Sequence, residues 1–510
     1  MNANRLLGID FGTGGCKVSV IDFEGKLIAS HAEEYPTSHP QPGWAEQNPV
    51  DWFPALERCL QHLWHGGKVK PSEIAALAFD GSTHNAVLLD RDDNVLRPTI
   101  MWTDQRSVSE AAWLCQHHVD NIFRIGYQRP TPTWTLPQML WIKNHEPEIL
   151  SRIARILFVK DYVRYQLTGV AVTDYIEAQG TLFFDVANKK WSPELCALAG
   201  VPLAALPKVV TPIDRVGAVT AQAALATGLV EGTPVICGSS DSAVEDYAAG
   251  AIEPGQCIVK LATAGNVNVM IDRAVPHART LTYSHVVPGM WYTVTATNAA
   301  ATCLRWFRDH FCAAETKQAL DQGVSPYQIM GELAAQSPVG AHGLFFHPYL
   351  QGERSPYWDH TLRASFTGIS MSHTKGDFVR ALMEGVAFSL RDCRRVLDDM
   401  NLPINEIRLI GGGAKDALWA QIVCDVFATP VVLPANSDAS AGAAMLAGVG
   451  VGVFSDARTA AKKCVQVTST LTPNADRVAA YAKQFETYRR LHDVLADIYH
   501  ETAATLPAEK

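Results

Sequence analysis

The chain opens on Leu6-Leu7-Gly8-Ile9-Asp10-Phe11-Gly12-Thr13-Gly14-Gly15, which predicts a β-strand that ends in a glycine-rich turn. Extended structure resumes over Lys17-Val18-Ser19-Val20-Ile21, so the stretch is typical of a β-hairpin. Glycines in such a turn let backbone N–H groups approach an anion, and the hydroxyl of Thr13 adds a donor. Asp10, at the end of the strand, is placed to hold a hydrated magnesium ion. The same residues also fit an ordinary glycine-rich turn.

Two common phosphate-binding motifs do not account for this hairpin. A Walker A loop is excluded because no Gly-Lys-Ser/Thr follows the glycines. A dinucleotide fingerprint is excluded because the pattern continues as a strand rather than a helix.

A similar hairpin is predicted far downstream. Cys257 to Leu261 is a strand, Ala262-Thr263-Ala264-Gly265 a turn, and Asn266 to Ile271 a strand again. Thr13 and Thr263 each stand nine positions before an aspartate that follows an isoleucine. The repetition indicates a duplicated fold, although two hairpins also resemble each other by chance. The second turn is placed to hold phosphates from the other half of the chain.

Helical and strand patterns alternate along the 510 residues, which favours an α/β fold. A chain of this length exceeds one hydrophobic core, so we expect two large domains, residues 1–250 and 251–510. The boundary is predicted near residues 246–256, where Glu253-Pro254-Gly255 restarts the chain. Helices are predicted over residues 50–65, 375–400, 416–428, 439–448 and 475–502.

Composition excludes several classes of partner. The net charge of -9 is mild, and no basic block occurs, so nucleic acid is not expected. No leader-like segment or long apolar stretch is present, so we expect a cytoplasmic protein without a membrane partner. The eleven cysteines are scattered, with no CxxC or zinc spacing, and we expect reduced, mostly buried thiols.

A candidate general base lies in the middle of the chain. Gly238-Ser239-Ser240-Asp241-Ser242 follows the apolar strand Val235-Ile236-Cys237, which places Asp241 in the first turn of the next helix. A carboxylate there can accept a proton from a hydroxyl that attacks phosphorus. The same aspartate also fits a helix cap.

The stretch Gly411-Gly412-Gly413-Ala414 connects a predicted strand to a predicted helix. Ligands of open α/β sheets bind at the carboxyl ends of strands. Three glycines there favour a flat group such as adenine packed against the backbone, and they also fit a sharp connection without a ligand.

Three further stretches place polar groups beside aromatic faces, as sugar recognition requires. They are Thr83-His84-Asn85, Trp102-Thr103-Asp104-Gln105-Arg106 and Trp44-Ala45-Glu46-Gln47. By itself, His84 also fits a structural histidine, and Trp44 a buried loop anchor.

In order and spacing, these motifs resemble the FGGY carbohydrate kinases over nearly the full chain. The resemblance rests on Gly8 to Thr13, Gly43 to Pro49, Trp102 to Arg106, Gly352-Glu353-Arg354-Ser355-Pro356 and Ile410 to Ala414. It implies two ribonuclease-H-like domains of the actin–hexokinase–Hsp70 type with a deep cleft between them. ATP and Mg²⁺ are the implied cofactors and a small sugar the implied substrate.

The resemblance also assigns roles to residues. Asp241 is the implied catalytic base, and Asp10 holds Mg²⁺ through water. The implied ATP-binding residues are Gly12, Thr13, Gly14, Gly15, Lys17, Thr263, Ala264, Gly412, Gly413 and Ala414. The implied sugar-binding residues are Trp44, Thr83, His84, Trp102, Asp104, Asp241 and Ser242.

Within the family, Pro42 to Pro49 and Thr83-His84 are most similar to the xylulose kinases. The chain departs from them at Thr83, where methionine is typical, at Gln138, where lysine is typical, and at Ser242, where asparagine is typical. Xylulose is therefore the first expected substrate. The alternative substrates that stay open are ribulose, another ketose, a polyol, a sugar acid and the autoinducer-2 precursor.

Two readings outside sugar phosphorylation stay open as well. The same fold group includes chaperones and filament proteins that hydrolyse ATP, and a silent sugar sensor would bind without turnover. Two domains are expected to use the whole chain, which favours the kinase. The oligomeric state is left open, with a homodimer as the first expectation.

Overall fold

The computed structural model describes residues 3–505, with side chains described up to residue 502. Its strands are β1 (Arg5–Phe11), β2 (Gly15–Asp22), β3 (Leu27–Glu34), β4 (Glu46–Gln47), β5 (Ile74–Gly81), β6 (Ala86–Leu89), β7 (Thr99–Ile100), β8 (Arg155–Phe158), β9 (Val172–Asp174), β10 (Phe184–Asp185), β11 (Lys190–Trp191), β12 (Lys208–Val210), β13 (Arg215–Ala218), β14 (Pro234–Ser240), β15 (Gln256–Leu261), β16 (Gly265–Ile271), β17 (Leu281–Ser284), β18 (Trp291–Ala296), β19 (Phe345–His347), β20 (Ser365–Thr367), β21 (Glu406–Ile410), β22 (Val431–Pro434) and β23 (Val467–Leu471).

The α-helices are α1 (Trp52–His65), α2 (Val108–His117), α3 (Val119–Gly126), α4 (Thr135–His145), α5 (Pro147–Arg152), α6 (Val159–Thr168), α7 (Tyr175–Gly180), α8 (Pro193–Ala199), α9 (Ala221–Thr227), α10 (Asp241–Ala248), α11 (Ala301–Phe311), α12 (Ala313–Gln322), α13 (Pro326–Ala335), α14 (Lys375–Asp399), α15 (Ala417–Phe427), α16 (Ala439–Gly450), α17 (Ala457–Cys464) and α18 (Ala475–Thr505). The predicted helices at 50–65, 375–400, 416–428, 439–448 and 475–502 are confirmed within a few residues.

Two mixed sheets carry the fold, with the strand orders β13-β14-β5-β1-β2-β3 and β17-β18-β16-β15-β21-β22-β23. The first hairpin continues antiparallel into β3, while β1 pairs parallel with β5 and β5 with β14. The second hairpin continues antiparallel into β18, while β15 pairs parallel with β21 and β21 with β22. The two predicted hairpins thus hold equivalent places, as the duplication hypothesis requires.

The two halves share an apolar cluster in which helices α10 and α16 pack together. Helix α16 comes from the second half of the sequence, yet it lies across β1 and β5 of the first sheet. The approach is close, because a Cβ added to Gly8 would lie 1.7 Å from the carbonyl oxygen of Ser440. The division at residue 250 stays a prediction, and α16 crosses it.

A bulge in β14 sets the start of helix α10. The pairing of β14 with β5 shifts register between Ile236 and Ser239. Gly238 has a φ of +73°, and a Cβ there would lie 1.6 Å from the carbonyl oxygen of Phe79. Only glycine fits this backbone, and the chain after it turns directly into α10.

Within residues 3–505, no helix combines the length and the apolar character needed to cross a membrane. All eleven cysteines are unpaired thiols, and ten of them are buried.

Candidate active site

The first glycine-rich turn is anchored from behind by two side chains. The hydroxyl of Tyr35 donates to the carbonyl of Gly12, and the amide of Gln47 donates to the carbonyl of Thr13 over 2.7 Å. A Cβ at Gly14 would meet no atom within 4 Å, whereas one at Gly15 would lie 2.5 Å from the carbonyl oxygen of Glu33. Gly15 is therefore needed for packing, and the open side of the turn lies at Gly14.

Lys17, predicted to contact phosphate, forms an ion pair with Asp438 at the start of α16. The side chain of Lys17 is two-fifths exposed, so it stays accessible to a ligand while Asp438 partly compensates its charge. The pair also joins the first hairpin to the helix from the second half.

The second turn and the triple glycine are neighbours in space. A Cβ at Gly411, whose φ is +91°, would lie 2.5 Å from the carbonyl oxygen of Leu261, the residue before the turn. A Cβ at Gly413 would lie 2.8 Å from the Cβ of Leu261. At Gly412 it would meet nothing within 4 Å, and the side chain of Thr263 is exposed. Two of the three glycines thus serve packing, and Gly412 alone leaves open space.

Asp241 is the first residue of α10 and is partly buried. Its Oδ1 accepts hydrogen bonds from the Ser242 backbone N–H over 2.6 Å, the Ser242 hydroxyl over 3.2 Å and the Thr83 hydroxyl over 3.3 Å. Burial raises the pKa of Asp241, and the charge of Lys260 and these hydrogen bonds oppose the rise. The carboxylate therefore contacts Thr83 in the loop after β5 and is influenced by the charge of Lys260 on β15.

His84 has its backbone fixed and its ring turned toward Trp134. The φ of His84 is +56°; its N–H donates to Glu177 over 2.5 Å, and its carbonyl accepts from Thr135 over 2.6 Å. The ring centroids of His84 and Trp134 are 4.9 Å apart. Burial lowers the pKa of His84 to about 3, so the imidazole is neutral at pH 7. A neutral imidazole can both donate to and accept from sugar hydroxyls.

Trp102 joins the predicted sugar residues to the predicted phosphate residues. Its indole N–H donates to the hydroxyl of Thr13 over 2.9 Å, and its backbone N–H donates to Asn85 over 2.5 Å. The side chain is 37% exposed, which leaves an aromatic face accessible.

Asp104 departs from its predicted role as a sugar contact. It is 1% exposed, and one oxygen accepts from the Ala45 N–H over 2.6 Å and from Arg106 over 2.7 Å. The other oxygen accepts two further hydrogen bonds from Arg106. The guanidinium of Arg106 in turn lies 3.7 Å from the ring centroid of Trp44. Asp104 and one face of Trp44 are thus engaged in supporting the loop, because Arg106 already satisfies them.

Asp10 and Asp80 form a carboxylate pair that the motifs did not predict. They are register partners on β1 and β5, and Asp80 is fully buried. Within the described residues, no donor hydrogen-bonds to either oxygen of Asp80 or to Oδ1 of Asp10. Burial raises the pKa of both groups, that of Asp10 to about 7. An aspartate at the end of an apolar strand was the available signal for Asp80.

The motifs also missed Trp134, whose ring lies beside His84, and Tyr283, whose ring lies beside Trp134. They missed the ion pair Glu245–Lys260 as well, which affects Asp241. The rings of Trp134 and Tyr283 lie 6.3 Å apart, and the nitrogen of Lys260 lies 2.6 Å from Glu245. None of them belongs to a glycine-rich or aromatic-polar motif.

Comparison with known proteins gives a family. The N-terminal domain model of the FGGY family of carbohydrate kinases matches residues 5–246, and its C-terminal domain model matches residues 261–451. The xylulose kinase of Bacillus subtilis (strain 168) is 33% identical over 499 residues, covering 97% of each chain. The gluconokinase of the same organism is 28% identical over 502 residues, covering 98% of this chain and 97% of its own.

Among solved structures, the xylulose kinase from Rhodospirillum rubrum superposes with a TM-score of 0.86 at 30% identity, covering 97% of this chain and 100% of that one. The expected two-domain fold is confirmed by this match. The two matched domains span most of the sequence, and the chain belongs to the FGGY family of carbohydrate kinases.

Proposed function

We propose that this carbohydrate kinase transfers the γ-phosphoryl group of ATP to a hydroxyl of a small ketose, with D-xylulose converted to D-xylulose 5-phosphate as the first candidate reaction. The observation that carries the proposal is the place of Asp241. Its carboxylate accepts a hydrogen bond from Thr83, which is next to His84. The charge of Lys260, on the strand that leads to Thr263, favours the ionised form of Asp241. Relatives named xylulose kinase, 33% and 30% identical, support the choice of sugar.

The nucleotide is assigned to the two hairpin turns and to the glycine connection. Gly14 and Gly412 are positions where an added Cβ would meet nothing within 4 Å. Open space at these glycines suits phosphates at the first turn and adenine at the connection. Thr13 and Thr263 supply hydroxyls at the two turns, and Lys17 supplies a charge.

Asp10 and Asp80 suit a divalent cation. In the part of the chain that the structure describes, both oxygens of Asp80 and Oδ1 of Asp10 lack a hydrogen-bond donor, and the two carboxylates lie on the same sheet face. Such a pair favours a hard cation, and Mg²⁺ takes one or two carboxylates together with water and phosphate oxygens. Within the described residues, no three His, Cys, Asp or Glu side chains could hold a metal ion by themselves. We therefore assign Asp10 as the residue that holds Mg²⁺ through water. When bound, Mg²⁺ neutralises phosphate charge.

Asp241 acts as the general base in this proposal. As the sugar oxygen bonds to the γ-phosphorus, the bond from phosphorus to the β-γ bridging oxygen breaks and ADP leaves. The hydroxyl proton moves to the carboxylate of Asp241, which Ser242 and Thr83 hold in place. A positioned base of this kind contributes roughly 10²–10⁴-fold. Neutral His84 orients a second sugar hydroxyl, and Trp102 offers an aromatic face.

The test is ADP release with a panel of ketoses, polyols and sugar acids, ranked by kcat/KM. The expected first substrate is D-xylulose. Gluconate is the second candidate, because a relative named gluconokinase matches the whole chain. A higher kcat/KM for gluconate would overturn the ketose. ADP release without any dependence on sugar would indicate an ATPase of the chaperone or filament type, and sugar binding without ADP release would indicate a sensor. Since ATP is the donor, we propose the cytoplasm as the compartment.

A further inference from the structure

Lys260 lies on β15, three residues before Thr263 in the second turn. Its neighbours Val259 and Leu261 pack into the core of the second half, whereas Ile258 packs into the cluster around α10 and α16. Side chains alternate between the faces of a strand, so Lys260 shares the face of Ile258 and points toward α10.

The partner of Lys260 is one helical turn from the candidate base. The ammonium nitrogen lies 2.6 Å from Oε2 of Glu245, and both side chains are partly exposed. Glu245 follows Asp241 by four residues on α10, which puts the two carboxylates on the same side of the helix. The ion pair thus joins the strand that leads into the second turn to the helix that begins with Asp241.

Titratable groups from several elements interact with Asp241. The charge of Asp241 helps to raise the pKa of Asp10 on β1, of Asp80 on β5 and of Glu245 on its own helix. Lys260 is the cation of this group, and its charge has the largest effect in favour of the ionised form of Asp241. The uncharged groups that interact with Asp241 are Thr83, Ser242, Tyr35, Tyr283 and Tyr292.

We propose that Lys260, held in place by Glu245, is a positioning residue that keeps Asp241 ionised and fixes α10 relative to the second phosphate turn. The inference rests on the proposed function, in which Asp241 accepts the proton of the sugar hydroxyl. A general base works only in its ionised form, and burial disfavours that form of Asp241. The positive charge of Lys260 offsets the effect of burial.

The test is the acid limb of the kcat/KM profile against pH, which reports the ionisation of the free enzyme. Lys260→Met removes a positive charge, so the acid limb is expected to move up by about one pH unit. Glu245→Gln removes a negative charge and leaves Lys260 unpaired, so the limb is expected to move down. The double variant falls between the two, and Lys260→Arg keeps the wild-type limb. Opposite shifts from the two halves of one ion pair are not produced by a loss of packing.

The matched control is another ion pair between the two halves. Lys463 and Glu24 lie 2.9 Å apart at the surface, and Lys463→Met and Glu24→Gln are expected to leave the acid limb unchanged. Melting curves of all variants verify folding. If Lys260→Met and Glu245→Gln both lower kcat and leave the limb where it was, the pair only holds the fold and the proposal is overturned.

A second measurement separates this inference from the proposed function. In protein labelled with ¹³C at aspartate carboxyls, the signal of Asp241 is the one lost in Asp241→Asn. Its titration midpoint is expected to rise in Lys260→Met and fall in Glu245→Gln, with no turnover required. If wild type phosphorylates no sugar but these shifts occur, the proposed function fails and the effect of Lys260 on Asp241 stands. If turnover occurs and the midpoint does not move, the role of Lys260 fails alone.

Discussion

The indole N–H of Trp102 donates a hydrogen bond to the hydroxyl of Thr13 over 2.9 Å. Trp102 follows β7 in the loop predicted to contact the sugar, and Thr13 lies in the turn predicted to contact phosphate. The side chains assigned to the two substrates are therefore in direct contact. A substitution at one of these two residues is therefore expected to change the binding of both substrates.

A double-mutant cycle measures this contact. Thr13→Val and Trp102→Phe each remove one partner, and each is expected to lower kcat/KM for ATP several-fold. Both substitutions remove the same hydrogen bond. The loss of transition-state stabilisation in the double variant should therefore be smaller than the sum of the two single losses, by about 1 kcal/mol. Trp113→Phe is the control, since Trp113 is an exposed tryptophan on α2 whose ring lies beside those of His117 and His118. Strict additivity would show that the contact does not couple the two substrates.

Asp241→Asn is expected to lower kcat by roughly 10²–10⁴-fold, because an amide cannot accept the proton. The fold and the affinity for ADP should be retained, since asparagine has the size of aspartate and keeps an oxygen that can accept from Ser242 and Thr83. Asp456→Asn is the matched control: Asp456 caps α17 by accepting from Thr459 over 2.8 Å and lies on the surface. Its kcat should equal that of wild type. Near-normal turnover of Asp241→Asn would reduce Asp241 to a residue that starts a helix.

Gly8→Ala is expected to destabilise the protein by about 3 kcal/mol or more, because the added Cβ would lie 1.7 Å from a backbone oxygen of α16. Gly14→Ala places the same methyl group where no atom lies within 4 Å. It should keep the wild-type Tm and raise the KM for ATP, since the methyl group occupies the open side of the turn. Equal Tm values for the two variants would mean that α16 does not lie against β1.

The local parts of the fold and of the site could be predicted from sequence. A hairpin, a glycine connection or the start of a helix is encoded in a few consecutive residues, as at Gly12, Gly411 and Asp241. Pairings between distant strands are not. The register that brings Asp80 beside Asp10, and the parallel pairing of β15 with β21, depend on the whole sheet.

The misplacement of Asp104 has a similar cause. From sequence, an aspartate near a tryptophan favours a sugar contact. Nothing in the stretch indicates that the guanidinium of Arg106 lies 2.7 Å from a carboxylate oxygen of Asp104. Likewise, nothing in the local sequence shows why position 8 is a glycine. The reason is the close approach of α16, a helix that is distant in sequence. Both outcomes depend on tertiary contacts that local patterns do not encode.

Gly412→Val is expected to raise the KM for ATP at least about tenfold while leaving the KM for sugar and the Tm unchanged. The reason is that the position is open toward the proposed adenine site. Gly413→Ala is the contrasting variant, since its Cβ would lie 2.8 Å from Leu261 and 3.0 Å from Trp419. That variant should lower the Tm. If Gly412→Val binds ATP normally, adenine lies elsewhere.

Glu353 is expected to make stability fall as pH rises. The side chain is 2% exposed and accepts from the Asn298 N–H over 2.7 Å and the Arg354 N–H over 2.8 Å. Burial raises its pKa from 4.5 to about 7, so the folded protein keeps a proton that the unfolded chain releases above pH 4.5. The native state therefore binds more protons between these values, and its stability declines by about 3 kcal/mol from pH 4.5 to above pH 7.

Glu353→Gln tests this, because glutamine keeps an acceptor oxygen but does not titrate. Relative to the variant, wild type should lose Tm by a few degrees between pH 5 and pH 8, measured by thermal unfolding in matched buffers. Glu253→Gln serves as the control, since hydrogen bonds and charges from Lys462 and Arg458 lower the pKa of Glu253 below the range of the experiment. Its Tm should run parallel to that of wild type. Parallel curves for Glu353→Gln as well would show that Glu353 is ionised throughout, with Arg354 compensating its charge in the folded protein.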